Sequence, residues 1–118
     1  MLKILQLNCG RSFVSMCDVG QVICECVSVA LIQEPYNVDG QIRGIPLGMK
    51  SFMNKNGKSA IIVNDPTIEC ILVDHLTDDF GVCVLLKCSF GNLLCVSVSH
   101  YGPLGIKGTK EEEEEMSV

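Results

Sequence analysis

Asn8 and Glu34 are the residues whose types and placement suit chemistry. Asn8 closes the run Leu2-Lys3-Ile4-Leu5-Gln6-Leu7-Asn8, which alternates apolar and other residues as a strand does. Glu34 follows Ser28-Val29-Ala30-Leu31-Ile32-Gln33, a mostly apolar run that Glu34-Pro35 stops, since proline cannot donate to a strand ladder. A carboxylate beside an amide carbonyl is a hard-oxygen pair suited to Mg²⁺. Ligand sites in open α/β sheets gather at the carboxyl ends of strands. The same two residue types also end strands as plain turn formers, so the pair by itself leaves both readings open.

The elements needed to position this pair are legible. Gly10 breaks the first strand and Ser12 is a helix N-cap candidate. From Phe13 to about Val27, the apolar residues Met16, Val19, Ile23 and Val27 recur at the step of one helix face. The two runs then become neighbouring parallel strands with a helix crossing between them. Tyr36 to Lys50 reads as a loop holding Gly40, Gly44, Pro46 and Gly48. Hairpins follow. Ser51–Met53 and Ser59–Val63 flank Asn56-Gly57, a tight-turn pair. Asn64-Asp65-Pro66 turns, Thr67 to Asp74 returns, and Leu76 to Gly81 holds another turn. Val82–Cys88 and Leu93–Ser99 flank Phe90-Gly91-Asn92. The expected class is α/β: β-α-β followed by an antiparallel meander of about five strands.

Composition narrows the function classes. The chain has 118 residues and is 47% hydrophobic, enough for the core of one domain. The net charge is −5, with a run from Glu111 to Glu115, and the nine Lys and Arg form no cluster. That argues against tight non-specific nucleic-acid binding but permits a metal-assisted site that engages one phosphate. The amino terminus has no secretory pattern, so a nuclear or cytoplasmic protein is expected and not a secreted one. The eight Cys include no Cys-x-x-Cys pair and several lie in strand-like runs, so buried reduced thiols are expected. No apolar run approaches a membrane span. Residues 104–118 read as a loop and an acidic disordered tail.

Several segments, in order, resemble the endonuclease/exonuclease/phosphatase superfamily. Leu5-Gln6-Leu7-Asn8 with Arg11 resembles its opening motif, and Leu31-Ile32-Gln33-Glu34-Pro35-Tyr36 its second. Gln-Glu-Pro-Tyr followed by Ile42-Arg43-Gly44-Ile45-Pro46 is similar to the endonuclease domains of non-LTR retrotransposons, as is Lys58-Ser59-Ala60-Ile61-Ile62-Val63. Val96-Ser97-Val98-Ser99-His100-Tyr101-Gly102-Pro103 resembles the strand that ends in an active-site tyrosine. The likeness covers residues 2 to 103, so a partial domain over 1–103 is expected, about half of a four-layer α/β/β/α sandwich.

The resemblance implies a divalent metal, Mg²⁺ or Mn²⁺, ligated by Glu34 with Asn8 helping to hold the site. It implies DNA as substrate and a hydrogen bond from Tyr101 to the scissile phosphate. Arg11 suits either a phosphate contact or an exposed ion pair, and the ion pair is the expectation. His100 matches no family position and reads as structural. The family's Asp-x-Asn and Ser-Asp-His motifs occur nowhere in the chain. A truncated phosphodiesterase-type domain, weakly active or inactive alone, is therefore expected, since losing a positioned base costs about 10²–10⁴ in rate. The abrupt change to Lys110 and five Glu suggests a truncated or frame-disrupted copy. One sheet alone would leave an apolar face and an edge uncovered, so self-association, or a non-catalytic module that binds through its sheet edge, is the alternative.

Overall fold

The computed structural model describes residues 2–99. His100, Tyr101 and the expected acidic tail lie outside the described residues.

The chain opens as read. Strand β1 (Ile4–Asn8) leads through a turn into helix α1 (Phe13–Cys26), and β2 (Val29–Gln33) returns parallel to β1 with Asn8 opposite Gln33. Ser12 caps α1, its hydroxyl accepting from the Ser15 N–H at 3.2 Å. The helix stops where Val27 turns extended. Met16, Val19, Gly20 and Ile23 form its buried face, while Val27 is only partly buried.

The expected loop contains a small hairpin, β3 (Asn37–Val38) with β4 (Gln41–Ile42), turned by Asp39-Gly40. Asp-Gly is itself a tight-turn pair, and the two-residue strands on either side are too short to show a strand pattern. Next come β5 (Lys50–Met53) and β6 (Ser59–Val63), completing a four-stranded sheet of order β1-β2-β6-β5. Then β7 (Glu69–Leu72), a 3-10 turn (Asp74–Leu76), β8 (Gly81–Cys88) and β9 (Gly91–Val98) build a second sheet of order β7-β8-β9. The last hairpin turns at Ser89-Phe90, since Cys88 pairs with Gly91. The five strands of the expected meander therefore divide between two sheets.

The division corrects the picture of a half domain with one sheet. Strands β2 and β6 are buried at every position. Their period of two sends Ala30, Ile32, Ala60 and Ile62 toward α1, where they pack with Met16, Val19 and Ile23. It sends Val29, Leu31, Ile61 and Val63 the other way, against Val82, Val84, Leu86 and Cys95 of the second sheet. The layers are helix, sheet, sheet. The inner face of the first sheet is covered, and among the described residues nothing covers the outer face of the second sheet. There Ile71 and Leu94 are 41% and 51% exposed.

Close approach explains one glycine. Gly20 lies where α1 meets the segment 44–46, and a Cβ there would stand 2.8 Å from the Gly44 carbonyl oxygen.

The cysteines are only partly as expected. All eight are unpaired, but Cys17, Cys24 and Cys26 are exposed on α1. Cys9, Cys83 and Cys95 are buried.

Candidate active site: a turn locked to a strand end

Asn8 ends β1 and Glu34 follows β2, so both lie at the carboxyl end of the parallel pair in the first sheet. The parallel register sets Asn8 beside Gln33, and the ladder continues past it: the Cys9 N–H donates to the Gln33 carbonyl at 2.9 Å. Beyond that, the Arg11 N–H donates to the Glu34 carbonyl at 2.8 Å. The Glu34 N–H donates to the Lys58 carbonyl at 2.7 Å, so the strand end is held from both sides.

This local arrangement carries strain. Glu34 and Arg11 have φ of 51° and 59°, and Gly10 has 55°. Left-handed backbone is unfavourable for a residue with a Cβ, and such strain clusters where the surroundings impose it. The imposing contacts are the two ladder-like hydrogen bonds and the Asn8 side chain, whose Oδ1 accepts from the Gly10 N–H at 2.8 Å. Asn8 is exposed, and this bond fixes the direction of its carbonyl oxygen while leaving that oxygen a second lone pair. Glu34 is partly buried, and its carboxylate has no hydrogen bond or ion pair among the described residues. Asn8 and Glu34 thus lie at the ends of adjacent parallel strands, and the Glu34 carboxylate has no partner among the described residues.

The thiol between them is not a third donor. Burial pushes the Cys9 thiol up to about 11, so it stays protonated at neutral pH. No group of three His, Cys, Asp or Glu is gathered among the described residues.

Beneath the edge lies a buried polar layer that sequence reading did not single out. Gln33 is 0% exposed, and its Nε2 donates to the Ser97 hydroxyl at 3.0 Å. The Ser97 hydroxyl donates to the Ile32 carbonyl at 2.9 Å. Ser59 donates to Ser99 at 3.0 Å, and the Asn54 Oδ1 accepts from the Ser59 N–H at 3.1 Å. These bonds tie the end of β2 to the end of β9. Their signal was available: Ser97 and Ser99 continue the inward parity of Leu93 and Cys95.

Arg11 is exposed and has no acidic partner among the described residues. Tyr101 cannot be placed relative to Glu34, being outside the described residues.

In fold and in sequence the chain is similar to proteins of retrotransposable elements. Its fold is that of the endonuclease domain of TRAS1, a telomere-specific non-LTR retrotransposon, at a TM-score of 0.68 and 23% identity. The match covers 98% of this chain and 52% of that domain. In sequence it is similar to the 115 kDa protein in type-1 retrotransposable element R1DM of Drosophila melanogaster, 36% identical over 103 residues. It is also 34% identical over 64 residues to the Pol polyprotein of type-1 retrotransposable element R1 from Bradysia coprophila. These matches cover 86% and 50% of this chain but 10% and 6% of those proteins, so the chain spans a small part of its curated relatives. No protein-family model matches the chain.

Proposed function

We propose that this chain supplies the metal-binding part of a DNA phosphodiesterase site, with Glu34 as the carboxylate ligand and Asn8 as a neighbouring oxygen donor. The observation that carries the reading is the unpaired Glu34 carboxylate, held by strained backbone beside Asn8 at the carboxyl ends of two parallel strands. The donor set fits a hard divalent cation. Mg²⁺ takes few carboxylates, keeps several waters and needs no sulfur or nitrogen ligand. Mn²⁺ shares that preference for oxygen.

A cation bound here would stabilise negative charge on a phosphate or leaving oxygen. The chain's own residues do the positioning. Glu34 and Asn8 would hold the cation at the carboxyl end of the β1-β2 pair. Tyr101, two residues past Ser99 in the sequence, would hydrogen-bond a phosphate oxygen through its phenol O–H. Nothing in the sequence supplies the Asp-x-Asn or Ser-Asp-His groups of the family, so the chain alone has no residue assigned to activate water. Residual activity at most follows. In a plasmid-nicking assay with Mg²⁺ or Mn²⁺, only trace nicking is expected, lost with EDTA and lost in Glu34→Ala. Robust nicking that survives Glu34→Ala sinks the assignment.

A second reading concerns self-association. The outer face of the β7-β8-β9 sheet exposes Ile71 and Leu94, and among the described residues β1 and β9 end their sheets without a neighbour on one side. Such edges and faces favour pairing with another chain. Light scattering after size exclusion is expected to give a mass above one chain that falls on dilution.

A further inference from the structure

Phe13 is a large apolar side chain at the first position of α1, yet it is 50% exposed. It is not loose. Its ring meets the Tyr36 ring edge to face, with centroids 5.3 Å apart at 68°. The pair joins the two segments that build the candidate site, since Phe13 lies two residues past Arg11 and Tyr36 two residues past Glu34. Two exposed arginines lie on the segments that carry it. Arg11 is bonded through its main chain to Glu34, and the Arg43 N–H donates to the Tyr36 carbonyl at 3.2 Å. Neither guanidinium has an ion-pair partner among the described residues. The first turn of α1 holds no acidic residue to offset the positive end of the helix.

We propose that Phe13, braced by Tyr36, is a stacking platform for one unpaired nucleobase, with Arg11 and Arg43 holding the phosphates on either side. Three features favour a nucleic-acid strand over an apolar partner. The aromatic surface is one ring wide. It is held rigid by another ring, so little entropy is lost when a flat base stacks on it. Arg11 lies two residues before Phe13 and Arg43 is bonded through its main chain to Tyr36, and neither has an ion-pair partner among the described residues. Aromatic stacking combined with basic residues is how single strands are bound without sequence preference. The proposal rests on the reading of the edge as a DNA-directed site, and it names the form of substrate: a strand with a base out of the duplex.

The chain contains no tryptophan, so Phe13→Trp places a sole reporter on the platform. With EDTA present and at low salt, a 12-residue oligothymidylate is expected to quench that emission. A 12-residue abasic strand of the same charge is expected to leave it unchanged. By anisotropy of a labelled oligothymidylate, Phe13→Ala is expected to bind about 5- to 100-fold more weakly than the wild type. Phe13→Leu keeps an apolar contact with Tyr36 but no ring, and is expected to be weakened as well. Two phosphates held by two arginines predict a salt slope near −0.7 per contact, about −1.4 in all. Equal binding of the abasic strand, wild-type binding by Phe13→Ala, or no binding of oligothymidylate by the wild type would each overturn the platform. Because EDTA removes metal, these outcomes are separate from a metal titration. Quenching without metal binding leaves the platform standing and removes the Glu34 site; metal binding without quenching does the reverse.

Discussion

The main-chain N–H of Arg11 donates to the carbonyl of Glu34 at 2.8 Å, and both residues hold left-handed backbone, with φ of 59° and 51°. The bond extends the β1-β2 pairing past the end of both strands, into a turn that neither sequence segment prefers. It ties the residue after β2 to the turn after β1, at the end of the pair where Asn8 also ends its strand. The fold accepts local strain there and offsets it with the doubly buried strands β2 and β6.

That strain predicts a separation of stability from binding. Glu34→Gly removes the Cβ that left-handed backbone disfavours, a cost of order 1 kcal/mol. The variant is expected to unfold at a higher urea concentration than the wild type while losing the carboxylate. A lower midpoint contradicts the strain at Glu34.

The buried polar layer predicts the opposite direction. Ser97→Ala leaves the Gln33 Nε2 without its partner and removes the bond to the Ile32 carbonyl. An unsatisfied buried polar group costs about 1–3 kcal/mol. Ser97→Ala is expected to lower the urea midpoint accordingly, and exchange of the Glu34 and Cys9 amide hydrogens should quicken. Wild-type stability contradicts the layer.

Helix propensity alone favours Gly20→Ala by about 1 kcal/mol. Packing decides otherwise, because the added Cβ stands 2.8 Å from the Gly44 carbonyl oxygen and 3.1 Å from the Pro46 Cδ. Overpacking of this kind costs about 1–3 kcal/mol. Thermal melts are expected to show a lower Tm; a higher Tm means the segment 44–46 is not seated on α1.

Burial raises the Cys9 and Cys95 thiols from the ordinary value of 9.0 to about 11. A raised pKa means the folded state holds its proton longer than the unfolded chain. The stability this confers is complete below pH 9 and is lost as pH rises toward 11. Urea midpoints are expected to fall between pH 8.5 and 10.5, and Cys95→Val to flatten that fall.

Much of this was legible in the sequence because local pattern and tertiary role agreed. Ser12 as cap, the Met16, Val19 and Ile23 face, and the β1-α1-β2 crossover all follow from spacing. The partition of the later strands into two sheets did not, because period-two patterns locate strands without saying which partner they find. Tight turns told the same story in miniature: Asn56-Gly57 was clear, while Asp39-Gly40 lay between strands of only two residues. Asn8 and Glu34 were readable as strand-end oxygens. Their backbone strain was not, since left-handed Glu34 and Arg11 are imposed by cross-strand bonds and not by residue type. The layer of Gln33, Ser59, Ser97 and Ser99 was missed because lone serines in apolar strands resemble surface positions until both sheets are in place.

The central claim is a divalent cation held by Glu34 beside Asn8. Electron paramagnetic resonance of free Mn²⁺, titrated with the purified chain, tests it most directly. Wild type is expected to remove about one equivalent of the free signal, with Glu34→Gln abolishing that uptake and Asn8→Ala weakening it. Uptake by Glu34→Gln equal to wild type, or none by the wild type, contradicts the site.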